Sequence, residues 1–309
     1  MLTPTISLHD NLTQHESSDS YSRLQHLVGA LRGKHDPERT LVATLTGYFD
    51  ASGAPDQGTV LVVGGFMSFE SRWIQLEPRW NKALRKEGIK CFHMSDLING
   101  KKEFEGWKTK PDKQRRLLMA LIQILKETVV CSFGSIVVLD DWEKTNREYA
   151  LAENDFQPYS LAGWSTVQRA LRWCKTNGYR VPPPLFIFEH GDKHQDAMIR
   201  RVEKDFGVII RTALKKPDKK NPNELPVVQL QSADFVAWQM LNLMRGVKDK
   251  YAIRSEVKAA LEPWLWEVFK DTLTPVRNWY TRFTLDSIRM REPTLLRLCR
   301  EYGVPRRAP

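Results

Sequence analysis

Residues 41–53 read LVATLTGYFDASG. The apolar, β-branched run predicts a strand, and Asp50 ends it. Ser52 and Gly53 follow as a turn signal. Residues 59–67, TVLVVGGFM, read as a second strand. The Gly- and Pro-containing ASGAPDQG between them turns the chain into a hairpin. A carboxylate at the end of a core strand is held on a rigid element that opens to the surface, a favourable place for a metal ion or a proton. The same Asp, set just before Ser and Gly, also reads as a simple turn-starter.

Downstream of this hairpin the period changes. Trp73, Leu76, Trp80, Ala83 and Leu84 share one helical face, and Gly88 supplies a stop. CFHMSDL (91–97) is a short segment carrying His93 and Asp96. A charged loop leads to a helix over about 113–127, and residues 129–139 read as a strand ended by Asp140 and Asp141. Residues 142–177 read as helical, with Trp164, Val167, Leu171 and Cys174 on the buried face. LFIF (185–188) reads as a buried strand ending in Glu189, His190, Gly191 and Asp192. A helix over 195–206, a short strand over 209–212 and a basic, Pro-rich loop over 215–226 come next. Residues 227–243 begin extended and turn helical near Ser232. Upstream, residues 1–20 are polar and residues 20–31 have helical spacing.

Mixed strands and helices predict an α/β fold with a mixed central sheet flanked by helices and bearing helical insertions. The expected organisation is a loosely ordered N-terminal segment at 1–38, a core at 39–248, and a helical C-terminal extension at 249–309. That extension packs on the core or presents a face to a protein partner. Its Trp264, Trp266, Trp279 and Tyr280, like most tryptophans here, fall at core-packing spacing.

With 47 Lys and Arg against 37 Asp and Glu, the chain carries +10, which favours a polyanion partner and nucleic acid first. The four cysteines are far apart and form no CxxC pair, which argues against a zinc or disulfide framework. No apolar run reaches the roughly 18–20 residues of a membrane span. The polar start lacks a signal-peptide core, so a soluble cytoplasmic protein is expected.

Three acids carry the chemical reading. Asp50 and Glu189 both end strand-like runs, and parallel neighbouring strands would bring them to one sheet edge. In LQSADFVAWQM, Asp234 shares a helix face with Leu230, Ala237, Trp238 and Leu241, the stripe that packs on a sheet. An ionised carboxylate there is costly unless paired or bound to metal. Alternatively, Ser232 is an N-cap and Asp234 a first-turn acid serving the helix dipole. Converging carboxylates make a hard oxygen site suited to Mg²⁺ or Mn²⁺. Two such ions about 3.5–4 Å apart activate water and stabilise the leaving oxygen in phosphodiester cleavage.

YFDASG (48–53), VVGGF (62–66), FHMSDL (92–97), IFEHGD (187–192) and LQSADFVAW (230–238), in that order, resemble a bacterial family catalogued as domain of unknown function 3800. The resemblance runs from about Tyr48 to Met240 and implies a ribonuclease H-like fold. It implies that Asp50 bridges the metal ions, that Glu189 and Asp234 complete the site, and that Asp192 is a possible fourth ligand. His93, in the family-like FHxxD piece, either orients water or acts as an acid or base, or else caps its segment locally. Ser52 and the basic residues Lys215, Lys216, Lys219 and Lys220 are the expected phosphate-backbone contacts; such a run is otherwise simply a solvated loop. The family usually has Glu directly after the first Asp, and this chain has Ala51. Successive strand residues point to opposite faces, which makes that position peripheral to the site.

A metal-dependent nuclease acting on RNA or DNA is the leading expectation. The alternatives are a non-catalytic nucleic-acid-binding or regulatory protein of a defence or mobile-element system, and a phosphodiesterase acting on a small nucleotide. The last would draw on His93 and on the His190, Asp192, His194 group for a transition metal.

Overall fold

The hairpin is formed by β1 (Leu45–Ser52) and β2 (Val60–Phe69), antiparallel, with Phe49 opposite Gly65 and Asp50 opposite Gly64. The computed structural model describes residues 45–53, 60–179, 183–216, 227–245, 289–290 and 292–307. The helix expected over 20–31, Lys219 and Lys220, and the tryptophans at 264, 266 and 279 lie outside the described residues.

After β2 come α1 (Glu70–Lys86), α2 (Met94–Asn99) and α3 (Pro111–Thr128). Then follow β3 (Cys131–Val138), α4 (Leu139–Glu148), α5 (Pro158–Thr176), β4 (Leu185–Glu189), α6 (Gln195–Phe206), β5 (Ile210–Ala213) and α7 (Val228–Arg245). A two-residue strand β6 (Arg289–Met290) and α8 (Glu292–Glu301) complete the described chain. The sheet order is β5-β4-β1-β2-β3-β6. β2 is antiparallel to β1 and β3, whereas β4 runs parallel to both β1 and β5. Among the described residues no helix is long and apolar enough to cross a membrane.

Strand alternation divides the core into two layers. On one face, Tyr48, Val62, Phe66 and Ile187 pack with Trp73 and Trp80 of α1, Leu121 of α3, and Phe235 and Met240 of α7. On the other, Phe49, Val63, Phe186 and Phe188 pack with Leu161 and Val167 of α5, Met198 of α6 and Leu295 of α8. Asp50 follows Tyr48 by two residues and therefore belongs to the α7 face. Ala51 packs against the opposite layer. A longer side chain at Ala51 would point away from the acids.

The two glycines of VVGGF do different work. A Cβ at Gly64 would lie 3.0 Å from Met240 Sδ and 3.3 Å from Ala237 Cα, so this glycine lets α7 press onto the sheet. A Cβ at Gly65 would overlap the Tyr48 carbonyl oxygen on β1.

Three boundaries differ from the sequence reading. Asp140 and Asp141 stand in the first turn of α4 instead of closing β3, because acids there favour the helix N-terminus. The single helical stretch expected over 142–177 is two helices, α4 and α5, with Pro158 opening the second. Helix α7 starts at Val228, not near Ser232, and the Ser232 hydroxyl donates back to the Gln229 carbonyl at 2.6 Å from inside the helix. Ser232 is therefore not the N-cap, and Asp234 lies beyond the first turn.

Candidate functional site

β1 and β4 are parallel, with Phe49 beside Phe188. One residue further on, Asp50 and Glu189 emerge at the same end of the sheet and on the same face. Helix α7 crosses that face and delivers Asp234, 7% exposed, above them. The three acids do not meet around empty space. Lys215, two residues past the end of β5, places its Nζ 2.7 Å from Asp50 Oδ2, 2.7 Å from Glu189 Oε2 and 2.9 Å from Asp234 Oδ1. Its side chain is 6% exposed. Lys215 is thus not a solvated phosphate-contacting residue as its basic run suggested. Burial of an ammonium is costly, and three carboxylates are what make this one tolerable. The neighbouring Lys216 is exposed, as expected of the loop, and Ser52 is half-buried at the end of β1.

The main chain around Lys215 is also held. The Val227 amide donates to the Leu214 carbonyl at 2.7 Å, and Gln231 Nε2 donates to the Lys215 carbonyl at 3.3 Å. Gln231 Oε1 accepts from Trp80 Nε1 at 3.1 Å and from the Phe92 amide at 2.9 Å. One side chain in the LQSAD motif thereby ties α1, α7, the Lys215 segment and the entrance to α2 together. Replacing Gln231 by Leu will strand the buried Trp80 and Phe92 donors and lower the unfolding free energy by about 1–3 kcal/mol. Urea denaturation measures this, and an unchanged midpoint would remove Gln231 as the clasp.

The α2 entrance brings His93 to the cluster. His93 Nε2 lies 3.3 Å from Asp234 Oδ1, and the Met94 amide donates to Asp234 Oδ2 at 2.6 Å. On its other side, His93 Nδ1 is 3.3 Å from Asp96 Oδ2 but outside hydrogen-bond geometry, and Asp96 pairs with Lys102 at 2.7 Å. The imidazole is 25% exposed and Glu189 18% exposed, so the cluster reaches solvent on their side. His190 and His194 are exposed. β4 ends at Glu189, and His190 stands in the turn beyond it.

Asp192 lies near Glu189 and is hydrogen-bonded by the Tyr159 hydroxyl, which in turn accepts from Gln195 Nε2 at 3.2 Å. The same amide donates to the Glu189 carbonyl at 2.6 Å and so fixes the end of β4. Tyr159 and Gln195 escaped the sequence reading because helix-face spacing marks them only as packing positions.

Electrostatics divides the acids into two kinds. Burial pushes the Asp50 carboxyl well up; Lys215 opposes this, while Glu189 and Asp234 reinforce it. Burial also works to raise Asp234, but Lys215, His93 and the Met94 amide outweigh it and hold that carboxyl below the usual value. Burial lowers His93, so the neutral imidazole is favoured. Lys215 loses from burial yet is raised above an ordinary lysine by Asp50, Asp234 and Glu189. Burial, then the Glu189 charge, lifts Asp192 to about 6.

That last shift has a signed consequence. Between about pH 4 and about pH 6 the folded chain keeps the Asp192 proton that the unfolded chain has released, so stability falls as pH rises through this window. Asp192→Asn will remove that fall, worth about 3 kcal/mol. The check is the difference in unfolding free energy between wild type and variant, in chelator, from about pH 4 to about pH 7. Parallel profiles would count against the shift.

The donor set is hard oxygen throughout, which fits Mg²⁺ or Mn²⁺. Among the described residues no three His, Cys, Asp or Glu side chains form a ready-made metal cage. The acids instead close around the chain's own ammonium.

No family model matches the chain, and no curated protein matches it in sequence. Solved structures do. Ribonuclease HII of Archaeoglobus fulgidus, from its complex with PCNA, is 14% identical, with 80% of this chain and 94% of that one covered at a TM-score of 0.28. Ribonuclease H2 of Pyrococcus horikoshii OT3 is also 14% identical, covering 79% of this chain and 100% of that one at 0.30. Bst-RNase HIII with Mn²⁺ is 13% identical, covering 82% and 74% at 0.28. These are distant likenesses of fold, and no activity passes from them to this chain. The chain's own topology shows a mixed α/β sheet, ordered β5-β4-β1-β2-β3-β6, with helices packed on both faces.

Proposed function

We propose that the chain is a divalent-metal-dependent nuclease of the kind gathered in domain of unknown function 3800, hydrolysing phosphodiester bonds of RNA or DNA. The single observation that carries this is the convergence of Asp50, Glu189 and Asp234 on one point from two strand ends and a helix. Asp50, Glu189 and Asp234 would hold the metal, with Asp192 beside Glu189. When bound, the ion supplies an activated water and charge stabilisation at the leaving oxygen.

The chain's own residues account for the rest. Gln195 and Gln231 fix the main chain at Glu189 and Lys215, so the carboxylates are oriented before substrate arrives. Neutral His93, beside Asp234 on the solvent side, is placed to accept a proton from water or hand one to a departing oxygen. The +10 balance favours approach of a phosphate backbone. The test is a panel of labelled RNA, DNA and hybrid substrates with Mg²⁺, Mn²⁺ or chelator. Cleavage that needs the metal is expected; cleavage unaffected by chelator would refute the reading.

The non-catalytic reading gains from one observation. Lys215 already neutralises part of the acid cluster, as it would in a site retained for structure. Salt-sensitive nucleic-acid binding without Mn²⁺ binding or cleavage would decide for it. The small-nucleotide phosphodiesterase reading keeps His93 at the cluster, whereas His190 and His194 are exposed; substitution of His93 and His190 without loss of turnover would remove it.

A further inference from the structure

Lys215 poses a question that a ribonuclease H-like acid cluster does not by itself answer. Its ammonium touches one oxygen from each of the three carboxylates at 2.7–2.9 Å. That is the point where their charges converge, and where a hard cation would be held most strongly. We propose that the Lys215 ammonium permanently takes one cation position in the acid cluster, so that the chain binds one divalent ion fewer than its carboxylates would otherwise hold. This rests on reading the cluster as a cation site.

Three features argue that the lysine is built in and not a chance neighbour. The first is anchorage. Leu214 and Lys215 are hydrogen-bonded through their carbonyls to Val227 and to Gln231 of α7, the helix that also carries Asp234. Cys91 Sγ lies 3.7 Å from the same Lys215 carbonyl, next to the segment that carries His93. The base of the side chain is therefore clamped by the elements that build the site. The second is burial. The side chain is 6% exposed, so a departing ammonium would leave buried carboxylates facing one another unless another cation replaced it. The third is charge. With all three carboxylates ionised, one ammonium leaves an excess of two negative charges; a divalent ion would balance it, and in its absence burial relieves it by favouring the protonated form of Asp50.

A tethered ammonium differs chemically from the ion it replaces. Its three N–H donors already face the three carboxylates, and it cannot carry an activated water. Lys215 is then a positioning and charge-balancing residue, and the water-activating role falls to whatever divalent ion the same carboxylates hold beside it.

The experiment counts manganese. Full-length wild type and Lys215→Met, which keeps an unbranched side chain of similar length without the charge, are titrated with Mn²⁺. Bound metal is read by electron paramagnetic resonance and calorimetry. The variant is expected to bind one more Mn²⁺ per chain than wild type. Its thermal midpoint should lie below wild type in chelator and recover when Mn²⁺ is added. Equal stoichiometry in the two proteins would overturn the proposal.

A second measurement uses wild type alone and covers a variant that does not fold. Acetic anhydride labelling followed by mass spectrometry should leave Lys215 well below the exposed Lys216, with or without saturating Mn²⁺. Labelling of Lys215 that rises to the Lys216 level when Mn²⁺ is added would mean that metal displaces it, and the proposal would fail. The nuclease reading fails separately. If Lys215→Met gains a Mn²⁺ position while wild type cleaves no substrate with Mg²⁺ or Mn²⁺, the tethered-cation proposal stands and the nuclease reading falls.

Discussion

Replacing Asp50 by Asn will abolish metal-dependent cleavage and leave the fold close to wild type. The side chain is nearly isosteric, and its carbonyl oxygen can still accept from the Ala51 amide, which now donates to Asp50 Oδ1 at 2.7 Å. What disappears is one negative charge from the point where three carboxylates meet. Removing one well-placed electrostatic group from an active site costs roughly 10²–10³-fold in rate, and loss of the carboxylate proposed to hold the metal should reach at least that range. The fold should tolerate the change. Burial already drives Asp50 toward its neutral form, which an amide resembles. Lys215 also keeps Glu189 and Asp234 as partners. The measurements are single-turnover cleavage of labelled RNA and DNA with Mn²⁺, beside a thermal melt. Undiminished cleavage would sink the assignment of Asp50. A collapsed melt would show instead that this carboxylate is needed to build the site, and Glu189→Gln would then become the informative variant.

The path from sequence to site was legible where local pattern and tertiary demand agree. The hairpin could be read because its β-branched runs, its turn residues and its closing Asp all point the same way. Asp50 and Glu189 could be paired because both close apolar strands, and strands have only two ends. Asp234 could be placed by helix spacing even with the start of α7 misread, since moving a helix boundary does not change which residues share a face.

Lys215 was not legible. It stands first in a run of Lys, Pro, Asp and Asn, a composition that describes solvated loops, and nothing local distinguishes it from Lys216. Its burial follows from an arrangement distant in sequence, because β5 lies beside β4 and sends the next residues toward the end that already holds Glu189. The available signal was spacing. A lysine two residues past a strand that neighbours an acid-ended strand is within reach of that acid. Gln231 was similarly hidden. The LQSAD motif singled out its Asp, whereas the Gln three residues earlier joins α1, α2 and the Lys215 segment through bonds that no local pattern encodes.

The VVGGF piece joins fold to site, and Gly65→Ala should be among the most damaging single substitutions in the chain. The added Cβ would overlap the Tyr48 carbonyl oxygen and come within 2.6 Å of Phe49 Cδ1 and 2.8 Å of Phe49 Cα. Two of these three atoms are main chain on β1. A side chain can change rotamer to relieve a clash, but β1 cannot withdraw, because it is bonded to β2 on one edge and to β4 on the other. Overpacking a core normally costs about 1–3 kcal/mol, and a backbone clash in the centre of a sheet should exceed about 4 kcal/mol. Gly64→Ala is the matched control. Its nearest atom is the thioether of Met240 at 3.0 Å, part of a flexible side chain, with the Ala237 main chain of α7 next at 3.3 Å, so its cost should be the ordinary overpacking cost of about 1–3 kcal/mol. Urea denaturation of the two variants separates these cases. A Gly65→Ala protein within about 1 kcal/mol of wild type would mean that the β1–β2 spacing is looser than described. The functional consequence follows from register. Asp50 sits opposite Gly64 and directly after the Phe49 that Gly65 faces, and Gly64 packs on the helix that carries Asp234, so parting the strands there shifts Asp50 relative to Asp234. Mn²⁺ binding should therefore be lost together with the fold in Gly65→Ala, whereas Asp50→Asn should lose activity from a chain that remains folded.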